Sequence, residues 1–214
     1  MKHRRYFTAA LLAATLAYQP TFAAEESTDA KAPQWYEIDN SDGVKIWKLD
    51  IPDAVMPGFR GEARIAASAE QILAAIKDVD SHTEWMHRCA DARLLRVVDE
   101  QETILYNRTD SPWPVWDRDV VVSSRIERAA DGSQISVLFR NVDAEEMPVQ
   151  DDAVRMPRLE GSYTLTAISP EETQVTYTVE VDVGGSIPGW VAEMVARDLP
   201  YKTLTSLRQR TQSR

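Results

Sequence analysis

The longest stretch of regular apolar spacing lies late in the chain, in Gly184–Arg210, GGSIPGWVAEMVARDLPYKTLTSLRQR. Ile187, Trp190, Val191, Met194, Val195 and Leu199 recur at three- and four-residue steps, and Leu204 and Leu207 extend the stripe. That spacing predicts a long amphipathic helix with one broad apolar face. Pro188 suits its first turn, where the missing N–H is not needed. Pro200 interrupts the run and predicts a kink, since proline removes a backbone hydrogen bond.

Upstream the period shortens to that of strands. Trp35–Ile38, Val44–Ile51 after the turn Asn40-Ser41-Asp42-Gly43, and Phe59–Ala66 after Pro57-Gly58 read as β-strands. Ser68 stands three residues before Gln71, a capping-box spacing that opens a helix over Ala69–Val79. His82–Arg88 adds a short second helix. The rest is strand: Ala92–Val98, Thr103–Thr109, Asp119–Glu127, Gln134–Asn141, Arg155–Ile168 and Gln174–Val183, separated by turns such as Asp131-Gly132 and Ser169-Pro170-Glu171-Glu172. Strands joined this way form an antiparallel meander, and the order of elements predicts one α+β domain. The final helix needs an apolar surface, so it closes the concave side of the sheet.

Such an interior either packs solid or encloses a mostly apolar pocket. In Thr103–Thr109, Leu105, Asn107 and Thr109 alternate with Ile104, Tyr106 and Arg108. If the second set points inward, Arg108 requires a carboxylate, a polar ligand or water beside it. If it points outward, Arg108 meets solvent and Tyr106 belongs to the core.

Composition changes this picture at the N-terminus. Lys2, Arg4 and Arg5 precede the apolar stretch Tyr6–Ala17 and a small-residue site near Thr21-Phe22-Ala23, so Met1–Ala24 reads as a cleaved signal segment. The apolar run is too short to span a bilayer comfortably. Glu25–Pro33 reads as a disordered lead-in, and residues 34–211 as the domain. The mature chain is therefore expected in the periplasm or outside the cell. Losing three positive charges takes the net charge from −10 to −13. That disfavours nucleic acid, which needs clustered Lys and Arg, and disfavours docking on anionic lipid by charge alone. Cys89 is the sole cysteine, which rules out an internal disulfide and suggests a small buried residue.

Candidate chemistry is sparse. His82, His87, Cys89 and Asp91 are the one cluster with metal-ligating side chains, but the histidines are five apart and match no zinc spacing. Neither sits in a nucleophile motif. No metal or cofactor is expected.

Three motifs add more. Pro112-Trp113-Pro114 is followed by Arg118-Asp119-Val120-Val121; Val154-Arg155-Met156-Pro157 by Glu160-Gly161-Ser162-Tyr163; and Gly184-Gly185-Ser186-Ile187-Pro188-Gly189-Trp190 opens the helix that carries Pro200. In this order the set resembles the START lipid-transfer domain family, over about Trp35–Arg210. The resemblance implies the helix-grip fold: a curved antiparallel sheet gripping a C-terminal helix, with one lipid held in an internal apolar cavity. It assigns Arg108 to the cavity, with Tyr106 on the same face, as a cation suited to a carboxylate or phosphate head group. The position of a second family arginine is Ser124. Arg118 is the motif arginine, either facing the ligand or forming a buried pair with Asp119. Trp190 and Met194, on the roofing helix, are expected to contact the ligand. Trp113, with Trp116, sits on a loop expected at the cavity mouth, where tryptophan suits transient contact with a bilayer. Asp143, Glu145, Glu146, Asp151 and Asp152 read as a solvated acidic loop.

The expected function is a non-enzymatic carrier of a lipid or other apolar molecule. The alternative is an aromatase or cyclase on the same scaffold. An enzyme requires a titratable group inside the cavity with an oriented partner, and the sequence identifies no inward histidine.

Overall fold

A computed structural model describes residues 34–52 and 54–212. The expected signal segment and lead-in lie outside these residues.

The described residues open with a hairpin, β1 (Trp35–Ser41) and β2 (Val44–Leu49), turned by Asp42 and Gly43. Both have positive φ, 51° and 70°, which suits a tight two-residue turn between twisted strands. After β3 (Gly58–Ile65), Ser68 caps α1 (Ala69–Lys77). Its Oγ accepts from Gln71 N at 3.3 Å while Ser68 N donates to Gln71 Oε1 at 2.8 Å, the reciprocal pair that the spacing predicts. A 3-10 turn at Val79–Ser81 leads into α2, which is only His82–Trp85. The later strands are β4 (Cys89–Val97), β5 (Glu102–Thr109), β6 (Asp117–Arg128), β7 (Gln134–Asn141), β8 (Ala153–Arg155), β9 (Arg158–Ser169) and β10 (Glu172–Asp182). Helix α3 (Gly189–Gln212) ends the described chain and continues through Pro200.

The ten strands form one sheet, nine of them in the order β1-β2-β3-β10-β9-β7-β6-β5-β4, with β8 paired to β6 off this path. Two features differ from a simple meander. β3 pairs with β10, Phe59 opposite Val179, so the first and last thirds of the sheet meet in its middle. The expected single strand Arg155–Ile168 is broken at Met156-Pro157. Its first part, β8, runs parallel to the start of β6, Arg118 opposite Val154, beyond the point where β7 ends.

The main core fills the concave side. Leu204 and Leu207 of α3 are fully buried against Val44, Ile46 and Phe59. Gly61 permits this approach: a Cβ there would lie 2.7 Å from Leu204 Cδ1 and 3.1 Å from Pro200 Cβ. A second cluster, Ile104, Tyr106, Val121 and Met147, lies on the convex side of β5 and β6. The α+β architecture of a curved antiparallel sheet gripping a C-terminal helix is the one expected.

Candidate functional site

Between α3 and the concave face of the sheet lies a cavity of about 200 Å³. Strand periodicity decides what lines it. β5 contributes Leu105, Asn107 and Thr109, and β6 contributes Arg118, Val120, Val122 and Ser124, each set two residues apart. From α3 come Val191, Val195, Leu199 and Thr203 at four-residue steps. The twelve steps from Val191 to Thr203 extend about 18 Å along the helix axis at 1.5 Å per residue. At one end the lining is exposed, where the 110–116 loop faces the start of α3. At the other it closes on Ile76, His82, Tyr163, Tyr177 and Thr203, all buried.

Tyr106 and Arg108 are not in the cavity. Both point to the convex side, so the outward orientation of the alternation is the one adopted. Tyr106 is buried in the cluster with Met147. Burial, reinforced by the Asp119 charge, pushes its hydroxyl up to about 12. Arg108 Nη1 donates to Asp152 at 2.9 Å and Nε to Asp117 at 2.9 Å. These carboxylates, Asp152 first, raise the guanidinium pKa further. An already satisfied cation on the wrong face is no head-group receptor.

Arg118 does line the cavity, near its mouth, but not as a partner of Asp119. Neighbouring strand residues face opposite ways. Arg118 donates to the carbonyls of Trp116 (2.6 Å), Gly184 (3.0 Å) and Val183 (3.2 Å), tying the mouth loop to the lead-in of α3. Burial lowers its pKa, partly offset by the Asp117 charge. Asp119, fully buried, instead holds Arg155 by two bonds of 2.9 and 3.0 Å on the convex side. The acidic loop is pinned there too: Glu146 accepts from Arg96 at 2.7 Å, Asp152 from Arg108, and Met147 is buried.

Ser124 lies in the lining. Trp190 and Met194 do not. The face that α3 turns to the protein carries Val191, Ala192, Ala196 and Pro200, small residues that fit close to the sheet, and this rotates Trp190 outward to 56% exposure. Trp113 is 89% and Trp116 62% exposed, on the loop at the open end, where the Trp113–Pro114 peptide is cis.

His82 and His87, for which the sequence identified no inward position, both line the cavity. His82 Nε2 lies 2.8 Å from the Ile76 carbonyl. A carbonyl only accepts, so Nε2 carries the proton and Nδ1 presents a lone pair. Burial lowers the pKa of both rings. Asn107 donates to Cys89 Sγ at 3.3 Å, and burial pushes that half-buried thiol up. Among the described residues no group of three or more His, Cys, Asp or Glu side chains is placed to hold a metal ion.

Residues 52–213 match the START domain family. An uncharacterised protein of Pseudomonas aeruginosa is 34% identical over 186 residues, 87% of this chain and 91% of that one. The crystal structure of a STAR-related lipid transfer protein fragment from Xanthomonas axonopodis superposes with a TM-score of 0.76 at 31% identity, covering 83% of this chain and 98% of the fragment. Human StAR-related lipid transfer protein 5 shares the fold, with a TM-score of 0.75 at 16% identity over 84% of this chain and 86% of its own. With its sheet, its roofing helix and the Arg118 tie between mouth loop and α3, this chain belongs to the START domain family.

Proposed function

We propose that the protein is a non-enzymatic carrier that holds a lipid or other apolar molecule beneath α3 and works outside the cytoplasm after export. The observation that carries this reading is the lining itself. Leu105, Val120, Val122 and Phe139 from the sheet face Val191, Val195 and Leu199 from the helix around an open volume. Apolar lining with a few placed polar groups is what a small-molecule site requires. The related Xanthomonas protein, named as a lipid transfer protein, supports the same reading. Asp110, the carboxylate in the lining, is engaged by Arg88 at 2.9 Å, so it is not a free acid.

Exchange of cargo uses the open end. Trp113 and Trp116 are exposed there, and aromatic side chains of this kind suit the membrane–water boundary. Contact through tryptophan needs no positive patch, which fits the acidic body.

One observation favours the cyclase alternative: His82 is a lining residue whose ring is oriented by the Ile76 carbonyl, which leaves the lone pair on Nδ1. The burial that lowers its pKa also weakens it as a base, so the carrier reading is preferred.

Native mass spectrometry of the exported protein, purified without detergent and followed by organic extraction, tests the carrier. A copurifying apolar molecule, or uptake of lipid from vesicles, is expected. A ligand-free mass together with no uptake would overturn it. Replacing Trp113 and Trp116 with alanine should slow transfer between phosphatidylcholine vesicles without changing equilibrium binding; an unchanged rate would remove the membrane step.

A further inference from the structure

The lining of the cavity is not neutral in charge. Among the described residues its charged side chains are Arg88, Asp110 and Arg118, while burial lowers the pKa values of His82 and His87 and keeps both rings neutral. One positive charge is left in excess, inside a protein whose net charge is −10. Arg118 is 5% exposed and donates only to carbonyls. The carboxylates beside it in the chain, Asp117 and Asp119, are held by Arg108 and Arg155 on the convex side. A buried cation without an anion is costly.

Strand register brings the second arginine close. Thr109 of β5 lies opposite Arg118 on one side and Cys89 of β4 on the other, so Arg88 and Asp110 stand one residue beyond the same row. Two strand spacings separate the arginine backbones, roughly 10 Å, a gap that two side chains of this length span around one small group. Arg88 has a φ of 59°, a left-handed conformation that a residue with a side chain adopts at a cost. It folds Arg88 onto Asp110: Asp110 N donates to the Arg88 carbonyl at 2.9 Å, and Arg88 Nη1 donates to the Asp110 carbonyl at 3.1 Å and to Oδ2 at 2.9 Å. Only Nη1 is used. Arg88 Nε and Nη2 have no partner among the described residues, whereas Arg108 on the convex face gives all three nitrogens to Asp117 and Asp152.

We propose that Arg88 and Arg118 form an anion site at the mouth of the cavity, and that the cargo is a long-chain carboxylate held tail inward. Its head stays with the two arginines, and its tail runs along Val122, Val195 and Leu199. One excess positive charge matches one carboxylate, a planar acceptor that guanidinium binds through two parallel N–H bonds. A neutral alcohol leaves the charge uncompensated, and a quaternary ammonium adds to it. A phosphate monoester, at about −1.5 to −2, exceeds it. This rests on the carrier reading and names the class of its cargo.

The test titrates dodecanoate, 1-dodecanol, dodecyltrimethylammonium, dodecyl phosphate and inorganic phosphate into the delipidated exported protein, at a pH where dodecanoate is ionised. Dodecanoate is expected to bind about tenfold or more tightly than the alcohol or the ammonium, the factor that one hydrogen bond to a charged group supplies, and the margin should narrow with added salt. Arg88→Met should cut the dodecanoate-to-dodecanol affinity ratio about fivefold or more. Asp110→Asn removes a negative charge and frees Arg88, so it should raise that ratio. Opposite signs separate a charge effect from a disturbed mouth loop. The Asp110 side chain is 62% exposed, so this second variant keeps the test decisive if Arg88→Met does not fold. Equal binding of alcohol and carboxylate, a ratio unmoved in Arg88→Met, or one lowered in Asp110→Asn would overturn the anion site and leave the carrier reading intact. Tighter binding of dodecyl phosphate than of dodecanoate would overturn the carboxylate assignment, and inorganic phosphate binding as tightly as dodecanoate would overturn the tail-inward cargo. Binding of none of the probes would overturn both the site and the carrier.

Discussion

The two faces of β5 and β6 have the same secondary structure and opposite chemistry. On the convex face the charged groups form closed sets: Asp119 with Arg155, and Arg108 between Asp117 and Asp152. Tyr106, Val121 and Met147 pack beside them. On the concave face Leu105, Val120 and Val122 border open space. The difference teaches where to look for function. Charge that is fully paired within the protein holds the acidic loop and β8 against the sheet, whereas an apolar lining around open volume is the feature that a small-molecule site requires.

The sharpest way to break this contrast is to unpair the convex side. Asp119→Ala leaves Arg155 without its buried carboxylate and should cost about 3–5 kcal/mol of stability, the usual penalty for breaking a buried pair from one side. Urea denaturation measures it, and lipid uptake by the folded protein should not change. Next come two adjacent valines on opposite faces. Val121→Phe overfills the packed convex cluster and should cost about 1–3 kcal/mol while sparing ligand binding. Val122→Phe enters the cavity, so it should cost under about 1 kcal/mol and weaken ligand binding at least about tenfold. The same two measurements on both variants would erase the contrast if the valines behaved alike.

A third test concerns His82. Its pKa in the folded protein is lowered from 6.5, chiefly by burial, with Arg210 adding to this and the Ile76 carbonyl, Asp78 and Asp80 opposing it. Above the unfolded value both states are neutral and the ring contributes no pH dependence. As pH falls below 6.5 the unfolded chain takes up a proton that the native site resists, so stability is lost, with a slope of at most about 1.4 kcal/mol per pH unit for one group. Urea midpoints between pH 7.5 and 5 should therefore fall less steeply in His82→Gln than in the parent, and parallel profiles would contradict a neutral buried ring. The smallest effect is expected from Arg108→Ala: a partly exposed pair, worth under about 1 kcal/mol, and no change in the affinity or identity of the bound lipid.

Much of the fold was legible in the chain. The Ser68–Gln71 spacing, the Asp42-Gly43 turn and the long C-terminal periodicity each appear where local sequence places them, because each depends on neighbours within a few residues. The cavity residues were harder to read. β5 carries apolar side chains on both parities, since its convex face is covered by the 142–152 segment and its concave face by the cavity, so alternation cannot tell inside from outside. Cross-strand register settles it: Arg108 lies opposite Asp119 and Thr109 opposite Arg118, which puts Arg108 and Arg118 on different faces. The assignment of both arginines to one cavity was therefore incompatible with the pairing.

What the sequence determined alone were the elements, their order and the family motifs, because helix periodicity, caps and turn residues act locally. Tertiary structure alone decided the β3–β10 closure, the rotation of α3 that lays Ala192, Ala196 and Pro200 against the sheet and turns Trp190 outward, and the gathering of His82, Tyr163 and Thr203 at one end. Those outcomes depend on how surfaces far apart in the chain fit together, here on a missing Cβ at Gly61, and no local pattern of residues encodes that fit.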